Sequence, residues 1–391
     1  MLKPEGVAPE FTKSQEKHET FAHVSAHWMK SCLTYDQVMQ DIETAARSRE
    51  DIECQLADMT TEVIGKDLVF KHKDGRVFKP TDHALEQYAA WMNVSTYFVT
   101  SMRKGYKLNA KVNVSRDEND AHVLNSVLNN ARRHTDPSAV RKFRTYQDGT
   151  LRAFLSDKYA YIDNRWYLET LNKVIPGGMF SHWRGDEDRF DGNILIPETI
   201  MDKPDGDTDY GGMINCGNNE IGDGRNHEQS SIFRAICMNG CIWSQVKGTK
   251  KGRVHRGKLD YIALSKDIYE NITTQIPLFT VRIEQFLATQ KMELDGVGMA
   301  HVIAQAAVEF KLLPDEALES IKQFNQHESS HRNLFGLINS ITRAGQFGRV
   351  NELDAVGGKL VAFTGPDWNR FMKAAQTITD EKMQTILGLS A

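Results

Sequence analysis

Leu151-Arg-Ala-Phe-Leu-Ser-Asp-Lys-Tyr-Ala-Tyr-Ile-Asp-Asn-Arg-Trp166 opens the part of the chain where the pattern turns from helical to extended. Short runs rich in β-branched and aromatic residues follow one another, broken by glycine: Thr150–Phe154, Tyr159–Ile162, Gly178–Trp183, Asn193–Ile196, Gly212–Cys216 and Ser231–Ile236. That is how antiparallel strands joined by turns read. From about Lys266 to Gln290 the apolar residues Ile268, Ile272, Ile276, Phe279, Ile283 and Phe286 recur at helical spacing, with Pro277 expected to kink or restart the helix. Strands in sequence order before one long helix predict an α+β fold: an antiparallel β-meander packed on a long helix, with helical N- and C-terminal regions.

On the N-terminal side, residues 1–33 read as a flexible arm and 34–135 as a helical region with a β-hairpin. Thr34 is placed to cap a helix whose Val38, Ile42 and Ala45 share a face. Asp67-Leu-Val-Phe-Lys-His and Arg76-Val-Phe flank Lys73-Asp74-Gly75, a tight hairpin signal. Helices over Asp82–Trp91 and Ser95–Lys104 follow at close to helix-turn-helix spacing, which suits either a groove-reading pair or a plain packing unit. A third helix covers about Ala121–His134. Residues 136–296 form the meander and long-helix core, and 297–391 a C-terminal helical region with helices at Met299–Phe310, Pro314–Phe324, Asn333–Ala344, Pro366–Gln376 and Asp380–Leu387.

At 391 residues and 40% hydrophobic content the chain can bury real cores. The net charge of −4 means that affinity for nucleic acid must come from a local patch. No apolar run approaches the roughly 18 residues of a membrane helix, and Met1-Leu-Lys-Pro-Glu-Gly lacks a signal-peptide layout. Five scattered cysteines fit a reducing compartment, so the expectation is a cytoplasmic protein with no membrane partner.

Certain short blocks carry a resemblance. Ser156, Asp157, Tyr159, Asp163 and Asn164 come first, then Glu220 and Gly222, then Arg234, Cys237, Asn239 and Gly240, and last Asn339, Ser340 and Thr342. In this order they resemble the phage/plasmid-like proteins of unknown function, over most of residues 80–365, with Ser340 where that family usually has alanine. The resemblance implies a mobile-element context, and a bacterial host cell, without supplying an activity.

Three strings could hold metal. His327-Glu328-Ser-Ser-His331 matches the H-E-x-x-H zinc signature, which on a helix would set two imidazoles on one face and make Glu328 a general base. Its polar interior, with Ser329 or Ser330 suited to cap the helix near Asn333, favours a loop instead. Cys216, His227, Cys237 and Cys241 have spacing that zinc sites use, yet read as strand cysteines in a core. Asp202, Asp205, Asp207 and Asp209 miss the calcium-loop register and read as a solvated acidic loop. No Walker loop, G-x-S-x-G elbow or dinucleotide fingerprint is present, and no cofactor is expected.

The remaining signal is cations among aromatics. Residues 131–167 hold eight Lys/Arg against four Asp, interleaved with seven aromatics, the mixture that neutralises phosphates and stacks bases. Lys247-Gly-Thr-Lys-Lys-Gly-Arg-Val-His-Arg-Gly-Lys258 carries six Lys/Arg and no acid on a Gly-rich loop. The candidate single-strand contacts are Arg141, Lys142, Arg144, Lys158, Tyr159, Lys247, Lys250, Lys251, Arg253, His255, Arg256 and Lys258. Residues 182–209, with nine Asp/Glu, offer an acidic surface that adjacent subunits of a homo-oligomer could match to the basic one. The function expected is binding of single-stranded DNA, extending to strand annealing, in recombination or replication. A zinc-dependent hydrolase and a non-enzymatic protein-binding module, anti-defence or virion, remain open alternatives.

Overall fold

The first sheet is assembled from stretches far apart in the chain. In the computed structural model, which describes residues 32–389 other than 47–48, 105, 110–111, 115–116, 186–187, 207, 235–240, 244–250, 254, 256, 258 and 346, strands β1 (Arg49–Gln55), β2 (Met59–Ile64), β3 (Asp67–His72) and β4 (Val77–Pro80) are joined by β7 (Val140–Tyr146) and β8 (Thr150–Ser156). The order is β1-β7-β8-β4-β3-β2, antiparallel except for β4 beside β8, where Lys79 faces Thr150 and Pro80 faces Leu151. The expected Asp-Gly hairpin joins β3 to β4. The sequence pattern put Thr150–Phe154 in the meander, whereas β8 lies inside this first sheet. Its five central residues are all buried, as suits an inner strand covered on both faces.

One face of that sheet holds Phe70, Phe78, Phe143 and Phe154. Phe143 and Phe154 sit opposite each other with rings 4.8 Å apart, and Tyr88 of α2 (Asp82–Trp91) meets Phe70 edge-on at 4.8 Å. Helices α3 (Thr96–Lys104) and α4 (Glu118–Arg132) complete this layer; Asp117 and Asp120 form the capping box that starts α4 three residues earlier than the apolar spacing suggests. A two-stranded ribbon, β5 (Tyr106–Asn109) and β6 (Val112–Val114), connects α3 to α4.

The second sheet runs β9 (Met179–Gly185), β10 (Arg189–Leu195), β11 (Tyr210–Asn219), β12 (Asn226–Arg234) and β13 (Cys241–Trp243) in spatial order, each antiparallel to the next. A short β14 (Lys251–Arg253) pairs with the first residues of β12. Phe190, Ile194, Ile214, Cys216 and Ile232 point into the main core. The helix expected over Lys266–Gln290 is two, α6 (Tyr261–Thr273) and α7 (Phe279–Ala288), divided by a 3-10 turn at Ile276–Leu278 where Pro277 has no amide hydrogen to continue the ladder.

Tyr159–Ile162, expected as a strand, is an extended link with an isolated bridge at Tyr159, and it leads into α5 (Asn164–Val174). Upstream, α1 (Tyr35–Ala46) buries Val38 and Ile42, and Thr34 Oγ1 accepts from Gln37 N at 3.3 Å as its cap. Of the arm 1–33, only Cys32 and Leu33 fall among the described residues; Leu33 exchanges backbone hydrogen bonds with Phe180.

Of the C-terminal helices α8 (Met299–Phe310), α9 (Pro314–Gln323), α10 (Leu334–Gly345), α11 (Val350–Val361), α12 (Gly365–Gln376) and α13 (Asp380–Ile386), α9 and α11 pack against α10, all twelve residues of which are buried, while α12 and α13 pack against α8. The cap of α10 is Asn333, whose Oδ1 accepts from Gly336 N at 3.1 Å, and not Ser329 or Ser330. Among the described residues no helix is long and apolar enough to cross a membrane.

Candidate functional site

Glu220 directly follows β11, and its carboxylate is fully buried where the two sheets meet. Oε1 accepts from Arg49 Nη1 at 2.8 Å and from the Asn164 backbone N at 2.7 Å. Oε2 accepts from Arg152 Nη2 at 2.9 Å, and Arg144 Nη1 lies 3.3 Å away. The three arginines come from β1, β7 and β8, so one carboxylate of the second sheet gathers three strands of the first. Asp51 and Asp163 bind Arg144 at 3.0 and 2.9 Å, and Asp188 binds Arg152 at 2.8 Å, so every positive charge in the cluster has a carboxylate partner. Burial works against the Arg144 cation, but Glu220, Asp51 and Asp163 outweigh it and hold its proton more tightly than usual. Buried ion clusters of this kind define position more than they add net stability.

What they position is the turn at 219–225. Asn219 Oδ1 accepts from the backbone N of Ile221 at 3.1 Å and of Asp223 at 2.8 Å. The Ile221 carbonyl accepts from His83 Nε2 at 3.0 Å and Gln87 Nε2 at 2.7 Å, both on α2, so His83 carries its proton on Nε2. Arg144 Nη1 and Tyr159 Oη donate to the carbonyls of Glu220 and Asn219 at 3.0 and 3.2 Å. Gly222 has φ +79°, a conformation a side chain would strain. Residues from the first two of the four sequence blocks meet here, Tyr159, Asp163 and Asn164 with Glu220 and Gly222, whereas Arg234 pairs with Glu328, Asn339, Ser340 and Thr342 are buried in a C-terminal helix, and Cys237, Asn239 and Gly240 lie outside the described residues.

A cleft of about 460 Å³ opens beside this turn, lined among others by Arg189, Asp191, Asn219, Asp223, Arg225 and His227. Asp191, Gly217 and His227 form one row across β10, β11 and β12. A methyl on Gly217 would come within 2.5 Å of His227 Cε1 and 2.7 Å of Asp191 Oδ1, so glycine keeps the floor between them open. Asn215 Nδ2 donates to Asn193 Oδ1 at 2.9 Å, which turns Asn215 Oδ1 toward His227 Nε2 at 3.2 Å and sets the imidazole's orientation. Along the far side of β12, Arg253 faces Asn226, Gly252 faces His227 and Lys251 faces Glu228, so part of the basic stretch runs beside the cleft-lining strand.

The other sequence candidates are distributed differently. Arg144 and Tyr159 are buried with internal partners, which corrects their assignment to a surface groove. Arg141 lies over the Trp91 ring at 3.9 Å, and Lys142 Nζ donates to the Tyr159 carbonyl at 3.0 Å. Lys158 is exposed. His255 is buried, its ring stacked on Tyr159 at 5.2 Å and its Nδ1 3.2 Å from the Ala160 carbonyl, so it anchors the basic stretch instead of contacting a ligand. Lys251 and Arg253 are placed by their backbone in β14, while Lys247, Lys250, Arg256 and Lys258 lie outside the described residues.

Glu328 does not have the setting of a zinc-site base. It is fully buried, 3.1 Å from Arg234 Nη1 and 3.2 Å from His331 Nδ1, in a π-helical turn at Phe324–Glu328 that leaves His327 exposed. Arg234 also lies over the Phe335 ring at 4.6 Å. Cys216 is a core thiol pushed well above its ordinary range by burial, with Cys237 outside the described residues. The acidic loop before β11 is tied down by its own carboxylates: Asp205 accepts from Thr208 N and Tyr210 Oη, and the buried Asp209 accepts from Lys203 N. Asp207 lies outside the described residues. Among the described residues no three His, Cys, Asp or Glu side chains group as metal ligands.

Two expected results follow from this geometry. Asn164 is buried and its Oδ1 accepts from Asn218 Nδ2 at 2.7 Å, so Asn164→Ala should lower unfolding free energy by about 1 kcal/mol in urea titrations. Burial, aided by the Arg144 charge, pushes the His255 pKa down to about 4 from 6.5, against the Ala160 hydrogen bond. The unfolded chain therefore takes a proton that the fold refuses. The stability contributed is full above pH 6.5 and is lost as pH falls toward 4, by up to about 3 kcal/mol. His255→Phe, which keeps a ring against Tyr159, should flatten that loss when urea midpoints at pH 7 and pH 5 are compared.

Comparison with protein-family models, with curated proteins and with solved structures found no match to the chain.

Proposed function

We propose that the protein binds single-stranded DNA through its basic segment 247–258, as a phage- or plasmid-type factor of recombination or replication. The observation that carries the reading is the placement of β14. Lys251–Arg253, part of a stretch with six Lys/Arg and no acid, pairs with residues 226–228, of which His227 lines the polar cleft. Cations beside a cleft of that size supply phosphate neutralisation and room for an unstacked base. His255 supports the reading by anchoring the segment: Ala160 N donates to its carbonyl at 3.3 Å, and Gly257 N donates to the Lys158 carbonyl at 2.8 Å. Strand annealing in the cytoplasm of a bacterial host, by a homo-oligomer whose acidic 182–209 surface meets the basic segment of a neighbour, is the extended form of the proposal.

Replacing Lys250, Lys251, Arg253 and Arg256 with alanine removes up to four phosphate-neutralising cations. In a salt titration of oligo(dT) affinity, the slope should fall by roughly 0.7 for each phosphate that is no longer neutralised, while circular dichroism stays unchanged. Equal slopes for the two proteins, or no binding by wild type at low salt, would move the function to a protein partner.

A further inference from the structure

We infer that the cleft beside the 219–225 turn holds one unstacked guanine of the bound strand. The inference rests on the single-strand reading and adds base recognition to it.

The walls differ in chemistry. On one side stands Asp191, half-buried, with Oδ1 turned onto the Gly217 floor; among the described residues its carboxylate makes no ion pair. A carboxylate only accepts hydrogen bonds, and its two oxygens match two adjacent donors. Of the four bases, guanine alone places N1–H and the N2 amino group side by side on its Watson–Crick edge. Thymine would set O2 and O4 against the carboxylate, whereas adenine and cytosine present a ring acceptor beside their amine. Guanine's O6 and N7 accept, and the lining also includes the exposed Arg225, a residue type that reads those two atoms.

The site is also held in shape. Asn215 and Asn193 orient His227, whose Cε1 edge borders the glycine floor, and the Glu220 cluster fixes the turn carrying Asp223 and Arg225. Rigid support of this kind is what base discrimination needs, since a mobile wall would accept any edge. A cleft of about 460 Å³ suits a single nucleotide, and the adjoining basic strand would continue along the phosphates.

The test compares an oligo(dT) strand with the same strand carrying one central dG, in wild type, Asp191→Asn and Gly217→Ala, with dGMP, dAMP, dCMP and dTMP titrated separately by calorimetry. Wild type should bind the dG strand about tenfold more tightly and prefer dGMP. Asp191→Asn, a near-isosteric change at a half-buried position, should abolish both preferences while the salt slope stays unchanged; Gly217→Ala should do the same by filling the floor. Strand binding without a dG preference, or a preference that survives Asp191→Asn, overturns the guanine site and leaves the single-strand reading standing. Absence of strand binding sinks that reading, and the mononucleotides then decide: equal or no binding of dGMP overturns the guanine site as well.

Discussion

Glu220→Gln should lower the unfolding free energy by about 3–5 kcal/mol at pH 7, read as a fall in urea midpoint with an unchanged slope. The substitution keeps the shape and removes the charge. Arg152 is fully buried and Arg144 nearly so, and each loses an anion that no water can replace. Asp188 and Asp51 still hold one face of each guanidinium, which keeps the loss at that scale instead of preventing folding. The effect should be non-additive. Arg152→Met in the Glu220→Gln background should restore part of the stability, because the second change removes the stranded cation. Independent, additive losses would show that the cluster is not one electrostatic unit.

Glu328→Gln is expected to have an effect of similar size, about 3–5 kcal/mol, for the same reason at a different place. Its carboxylate is the anion for Arg234, which is 1% exposed in its side chain and ends the inner strand β12, and Arg343 of the buried α10 lies 3.9 Å away. Thermal melts of Glu328→Gln beside His327→Ala separate a structural carboxylate from a metal site. The exposed His327 should be replaceable within about 0.5 kcal/mol. Stoichiometric zinc in purified wild type that disappears in His331→Ala would restore the hydrolase reading.

Local signals were legible where side chains and backbone speak over short range. The hairpin at Asp74-Gly75, the paired helices α2 and α3, and the helices opened by Pro314 and Pro366 all lie within a residue or two of where the pattern placed them. Two helices were not read. In α5, Tyr167, Leu168, Leu171 and Val174 carry helical spacing, but the strand pattern at Tyr159–Ile162 runs up to Asp163, which is the helix N-cap. In α11, Leu353, Val356 and Leu360 share the spacing, masked by Gly357-Gly358, which disfavour helix on propensity alone. The site was harder. Arg144 and Arg152 counted toward a basic surface, and only a partner 76 or 68 residues away, brought in by sheet docking, turns them into internal cations. Gly217 carried a usable hint, since a glycine inside a strand pattern marks close approach or an opening.

The distance in sequence between Arg49 and Glu220, 171 residues, is also an interval of time. As the chain emerges at about 5–20 residues per second, Arg152 of β8 is made roughly 3–14 s before Glu220, which follows it by 68 residues. Throughout that interval the nascent first sheet carries three arginines destined for burial and lacks the carboxylate that makes burial tolerable. Burying those cations without it would strand them in a low-dielectric interior, so their burial requires the second sheet. The carboxylate that fixes the turn in the finished protein is thus the last member of its own ion cluster to be made.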